Sequence, residues 1–256
     1  MQVEESKRCL IKLGAIEEDM DALLEYTENA FLEYTDRGSD ELSPRWFEIW
    51  SDVQDVCHEP PALERFESAA GPINIIYPNS VEDFESILRN IVYKGREATH
   101  IEKMGASFVS GRTLRFIVLS GKPYSGIPSE EMGLDEEEWA KKSMIIRKHH
   151  ECAHYYTKRF FGISRNNLHD ELIADFCGLY AAFGEYRAVW FMRFLQTRLG
   201  IYTKGLSRSA SGVVEALAGL VADGVQRWSK TEEFMQLDEP GQIRRLVAKG
   251  LLEYVL

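Results

Sequence analysis

Apolar positions recur at helical spacing from Ile16 to Leu32, through Met20, Leu23, Leu24, Ala30 and Phe31, which predicts an amphipathic helix. A second helix is predicted over Pro44–Cys57, with Trp46, Phe47, Ile49, Trp50 and Val53 on its buried side; Pro60-Pro61 must break it. Residues 1–70 therefore read as an N-terminal helical region. The pattern changes at Gly71-Pro72. Ile73–Tyr77 reads as a short strand and Pro78-Asn79-Ser80 as a turn. Ser80 is placed to cap a helix from Val81 to Tyr93. Ala98–Val109 looks extended but is interrupted by Gly105, and Arg112–Leu119 is the strongest strand pattern in the chain. Ser110-Gly111 just before it predicts a hairpin with Ser107–Val109. Gly121–Gly133 is dense in Gly, Pro and Ser and reads as a loop.

Asp135–Glu138 opens a long helix, because acidic residues complement the positive N-terminal end of the helix dipole. That helix should run to Phe161, with Gly162 as its C-cap. Further helices are predicted over Asn167–Phe183 (ended by Gly184), Glu185–Leu199, Ser211–Trp228 and Glu239–Tyr254. The order predicts an α+β fold in three regions: helices over 1–70, a small mixed or antiparallel sheet with a long helix over 71–162, and a helical half over 163–256.

Charge narrows the function classes. The 256 residues carry 30 Lys+Arg against 41 Asp+Glu, a net charge of −11, whereas a nucleic-acid binder is usually basic. Anionic membrane surfaces are disfavoured for the same reason. No apolar run approaches the roughly 18 residues that suggest a membrane span. The start, Met1–Ser6, has neither the basic nor the apolar stretch of a signal peptide. Cys9, Cys57, Cys152 and Cys177 show no CxxC spacing, so free thiols in a reducing cytoplasm are expected.

The chemistry concentrates in the long helix, which contains His150-Glu151-Cys152-Ala153-His154. Residues four apart on a helix differ by about 40° in direction and about 6 Å along the axis. Both imidazoles can therefore reach one ion, while Glu151, about 100° round, is left to address water. Cys152 faces the other way, and His149 points away from His150. A catalytic zinc needs a third protein ligand and an open fourth position. The next predicted helix reads His169-Asp170-Glu171-Leu172-Ile173-Ala174-Asp175. Glu171 and Asp175 share a face. Sixteen residues separate His154 from Glu171, enough for a turn at Gly162–Asn166 and a return alongside. Glu171 is the candidate third ligand. Asp175 is the candidate acceptor for the outer nitrogen of a ligand histidine. His58 and His100 have no partners in the sequence.

H-E-x-x-H followed by E-x-x-x-D on the next helix resembles the gluzincin, or thermolysin-like, group of zinc metallopeptidases. Glu171-x-x-Ala174-Asp175-x-x-Gly178 is also similar to a stretch of membrane-bound gluzincins, although this chain shows none of their membrane spans. The matched motifs run from Lys148 to Gly178. The resemblance implies a zincin-like fold and a Zn²⁺ ion held by His150, His154 and Glu171. It implies Glu151 as general base and Asp175 behind the ligands. It also implies hydrolysis of a peptide or protein substrate. No H-x-x-G-x-x-H continuation follows His154, which excludes the metzincin pattern. Two other readings compete: a zincin-fold partner-binding or regulatory module with latent or lost activity, and a structural zinc site closed by Cys177 or His169. For the donor to the developing oxyanion, Tyr155, Tyr156, Tyr180, Tyr186, Tyr202 and Arg208 stand as equal candidates.

Overall fold

The computed structural model describes residues 3–36, 45–94, 96, 100–110, 115–163 and 167–255. In chain order they form helices α1 (Val3–Lys12), α2 (Met20–Thr27) and α3 (Trp46–Val56), then strands β1 (Ala62–Ser68) and β2 (Gly71–Tyr77). Helix α4 (Val81–Ile87) follows, with strands β3 (Ala106–Ser110) and β4 (Arg115–Leu119), the single turn α5 (Ser129–Met132) and the long α6 (Glu136–Phe161). The remainder is helical: α7 (Leu168–Phe183), α8 (Ala188–Gln196), α9 (Leu199–Tyr202), α10 (Arg208–Ser229), α11 (Glu232–Met235) and α12 (Glu239–Val247). The fold is α+β. Among the described residues no helix is long and apolar enough to cross a membrane.

Two compact units divide the chain, one of residues 35–162 and one of residues 1–34 with 163–256. The first holds a four-stranded sheet in the order β1-β2-β4-β3. β2 and β4 are parallel, with Ile75 opposite Ile117, while β1/β2 and β3/β4 are antiparallel. Alternation along the strands sends side chains to opposite faces. Ile76, Phe116 and Val118 pack with Trp46, Ile49 and Val53 of α3 and Phe84 and Ile87 of α4. On the other face Phe108, paired with Ile117, meets Tyr155 of α6 at 5.9 Å between ring centroids. Helix α6 thus lies on the sheet, and its register is set at both ends. Asp135 accepts from Glu138 N–H at 2.7 Å, and Gly162 ends the helix at φ 70°.

In the second unit α7 is buried along most of its length. Phe176 stacks on Tyr180 and Tyr186 and meets Phe234 edge-on. Asn167 caps the start of α7, accepting from Asp170 N–H at 3.1 Å. Leu168 N–H donates to Tyr26 Oη at 3.1 Å, and Tyr26 Oη donates to Tyr202 O at 3.2 Å, so α2 anchors the first turn of α7.

Several sequence expectations need correction. The first 70 residues are not all helical, because β1 occupies Ala62–Ser68. The helix expected over Ile16–Leu32 begins as a 3₁₀ turn at Glu17–Asp19 and runs on as α2, which ends at Thr27. Glu28 turns extended, and Asn29 then accepts from Phe31 N–H and donates to Val247 O. Phe47, expected on the buried side of α3, is 75% exposed. Val81–Tyr93 begins as α4, capped by Ser80 accepting from Asp83 N–H, but continues as a π-helical turn over Leu88–Val92. Gly121–Gly133 contains a 3₁₀ turn at Tyr124–Gly126 as well as α5. The last predicted helix breaks after Val247 and resumes as a 3₁₀ turn at Leu251–Tyr254. Pro44, Ala98, Gly111–Leu114 and most of the Gly162–Asn166 turn lie outside the described residues.

Candidate metal centre

His150 and His154 sit one turn apart on α6, and both are buried. Their Nε2 atoms face each other at 3.1 Å, with the rings 81° apart in plane. Two nitrogens bound to one zinc at 2.0–2.1 Å and at a tetrahedral angle would lie roughly 3.3 Å apart. The pair is therefore already at ligand spacing. The outer nitrogen of His150, Nδ1, lies 2.9 Å from Tyr124 Oη. Tyr124 is itself fixed by its N–H donating to Ser143 Oγ at 3.0 Å.

Arg147, one turn before the motif, is also buried. It donates from Nη1 to Ser120 O at 3.1 Å and from Nη2 to Pro123 O at 2.8 Å, and its guanidinium lies over the Tyr124 ring. Burial lowers its pKa to about 10, partly offset by Tyr124 and Glu151, so it stays cationic at neutral pH. Glu151 is half-buried.

Helix α7 presents two buried carboxylates. Glu171 Oε2 accepts from Tyr202 Oη at 2.8 Å and from Arg198 Nη1 at 3.2 Å. Asp175 Oδ2 accepts from Arg198 Nη2 at 2.5 Å. One guanidinium therefore bridges both acids, the forked geometry that arginine suits and lysine does not. Burial raises the Tyr202 pKa, with the two acids adding to it, so its hydroxyl stays protonated and donates.

One donor atom each from His150, His154 and Glu171 lies within 4.8 Å of the others, and all three residues are buried. Two imidazoles and a carboxylate form a donor set that suits zinc. The residues present therefore fit the metal that the motif implies. Among the described residues, neither Cys177 nor His169 joins this group. His169 packs edge-on against Phe31, and burial lowers its pKa to about 4. His149 packs against Phe66 of β1. His58 binds the buried Asp83. Cys152 is buried. Of the tyrosines weighed for the oxyanion, Tyr202 addresses Glu171, and Tyr155 lies against the sheet.

Sequence reasoning missed Tyr124, Arg147 and Arg198 as site residues. Tyr124 falls in a loop without periodicity, and Arg198 stands 27 residues beyond Glu171. Neither position carries a local signal.

Fold and site together define an α+β chain with a buried two-histidine, one-glutamate group. The chain belongs to DUF7005, a family of unknown function, whose family model matches residues 113–249, more than half of its length. The matched stretch contains every residue of the group as well as Tyr124, Glu151, Asp175, Arg198 and Tyr202. Neither a curated protein nor a solved structure matches the chain.

Proposed function

We propose that this chain is a zinc-dependent peptidase of gluzincin type, on a zincin-like fold, with Glu151 as general base. The observation that carries the proposal is the buried His150–His154–Glu171 donor group beside a half-buried Glu151. Three protein donors among the described residues, rather than four, match the pattern of a catalytic zinc rather than a structural one. A zinc ion bound there would supply Lewis acidity, polarising a scissile carbonyl and acidifying water.

The chain's own groups then have separate tasks. His150, His154 and Glu171 hold the metal. Glu151, outside the donor group, takes the proton of the attacking water and passes it to the leaving amine nitrogen. Arg198, shared between Glu171 and Asp175, fixes Glu171 and balances the charge of the two α7 acids. An extended substrate would pair with β3, which is at the edge of the sheet. β4, the strand expected as Arg112–Leu119, lies between β2 and β3 and has no open edge to offer. All four cysteines are free, which fits a reducing compartment, and the cytoplasm is the proposed site of action.

Elemental analysis and peptide hydrolysis test the proposal together. Purified protein should carry one zinc per chain. Glu151→Gln should keep that zinc and the fold but lose hydrolysis by at least about 10²-fold, the lower scale for general-base catalysis. A Gln variant that cleaves peptides at the wild-type rate removes Glu151 from the chemistry.

A further inference from the structure

We infer that Tyr124 is a positioning residue for His150, and that Arg147, seated against Gly105, is what brings Tyr124 to it. The inference rests on the zinc reading above and extends it to a loop that no sequence motif marks. When both Nε2 atoms serve a metal, each must present a lone pair, so each ring must carry its proton on Nδ1. For His150 that proton meets Tyr124 Oη at 2.9 Å. The phenol oxygen accepts it, selects the tautomer and fixes the plane of the ring. A partner on the outer nitrogen of a ligand histidine commonly does this, and its loss weakens metal binding. Here the partner is a neutral phenol.

One guanidinium binds the loop bearing Tyr124 at two carbonyls. Arg147 donates to both Ser120 O and Pro123 O and lies 5.7 Å from the Tyr124 ring centroid. It binds the two carbonyls through different nitrogens, so the turn leading into Tyr124 has a fixed direction. The space for the guanidinium exists because residue 105 has no side chain. A Cβ on Gly105 would lie 2.6 Å from Arg147 Nε and 2.8 Å from Nη2. Gly105 O also accepts from Ser120 N–H at 2.9 Å, so the same glycine supports the loop from its other end. Gly105, Ser120, Pro123, Tyr124, Ser143, Arg147 and His150 all belong to the unit of residues 35–162.

The test uses full-length protein and two readouts. In zinc-free protein at one fixed pH, long-range ¹H–¹⁵N correlation spectra should show His150 mainly as the Nδ1–H tautomer. Tyr124→Phe removes only the hydroxyl and should redistribute the tautomers. Chelator competition should show zinc held about 10–100-fold more weakly in Tyr124→Phe, the usual scale for such partners, with the thermal midpoint of the zinc-free protein close to wild type. Arg147→Lys and Gly105→Ala should shift both readouts in the same direction while keeping the Tyr124 hydroxyl. Tautomer populations and zinc affinity that match wild type in Tyr124→Phe overturn the positioning role. Wild-type protein that binds no zinc overturns the metal reading instead; the tautomer spectra then still decide whether Tyr124 orients His150.

Discussion

Arg198 reaches two carboxylates on one face of α7, and both are almost wholly removed from water: side-chain exposure is 4% at Glu171 and zero at Asp175. Two such acids one turn apart repel each other, and a buried charge is costly unless paired. The guanidinium pairs with both, and the Tyr202 hydroxyl adds a hydrogen bond to Glu171. Asp175 is thereby anchored through Oδ2, and it acts on the donor set through Arg198, the guanidinium that also holds Glu171. Replacing Asp175 with Asn keeps the shape and removes the charge. Zinc affinity measured by chelator competition should fall about 10–100-fold, with the donor set unchanged by X-ray absorption. An affinity within twofold of wild type would show that Arg198 holds Glu171 in place without Asp175. At this scale the sequence shows the donors and hides their supports. His150, Glu151 and His154 are legible because a helix converts spacing into direction. Tyr124, Arg198 and Tyr202 are not, because their contacts span 23 to 31 residues and depend on how the intervening chain folds.

Elements were legible where a residue does something local and illegible where pairing decides. Ser80, Asp135 and Asn167 cap helices that the sequence places within a residue or two, since a cap acts on N–H groups two or three positions away. Strand β1 escaped notice for a physical reason. It is an edge strand with apolar residues only at Ala62, Leu63 and Phe66, and no position in it is fully buried. The backbone ladder to β2 and the packing of Phe66 on His149 hold it, and neither leaves a hydrophobic period. The misplaced Phe47 shows the converse: helical spacing predicted a buried face one position too wide. Helix α10 depends on a contact of another kind. A Cβ on Gly224 would collide with Tyr254 O, so the closing 3₁₀ turn rests directly on the helix backbone. Gly224→Ala must push that turn away, and should cost about 1–3 kcal/mol, the scale of overpacking a tight core. Denaturant melts of the two proteins measure it; a midpoint equal to wild type would show that the turn can move at no cost.

For the molecule as a whole, the proposed zinc site would link metal binding to folding. A zinc ligand set needs its three donors deprotonated and held together, and an unfolded chain offers no preformed site, so zinc bound by the native state would stabilise it. At free zinc about 100-fold above the dissociation constant the gain is about 2.7 kcal/mol. For a chain of this size that corresponds to a rise in melting temperature of about 5–10 °C. Chelation should reverse the rise, added zinc should restore it, and Glu171→Ala should show a much smaller response. The same linkage separates what the chain announces from what it conceals. The sequence by itself determined the α+β order, the long helix with its caps, the two histidines on one face of it and the pair of acids on the next helix, because each follows from periodicity or spacing within about one or two turns. Only the tertiary structure decided the partners: Tyr124 on His150, Arg147 seated against Gly105, Arg198 shared between Glu171 and Asp175, and β1 added to the sheet edge. Those contacts join residues far apart in the chain, and long-range contacts form from packing and backbone pairing, which leave no period in the sequence.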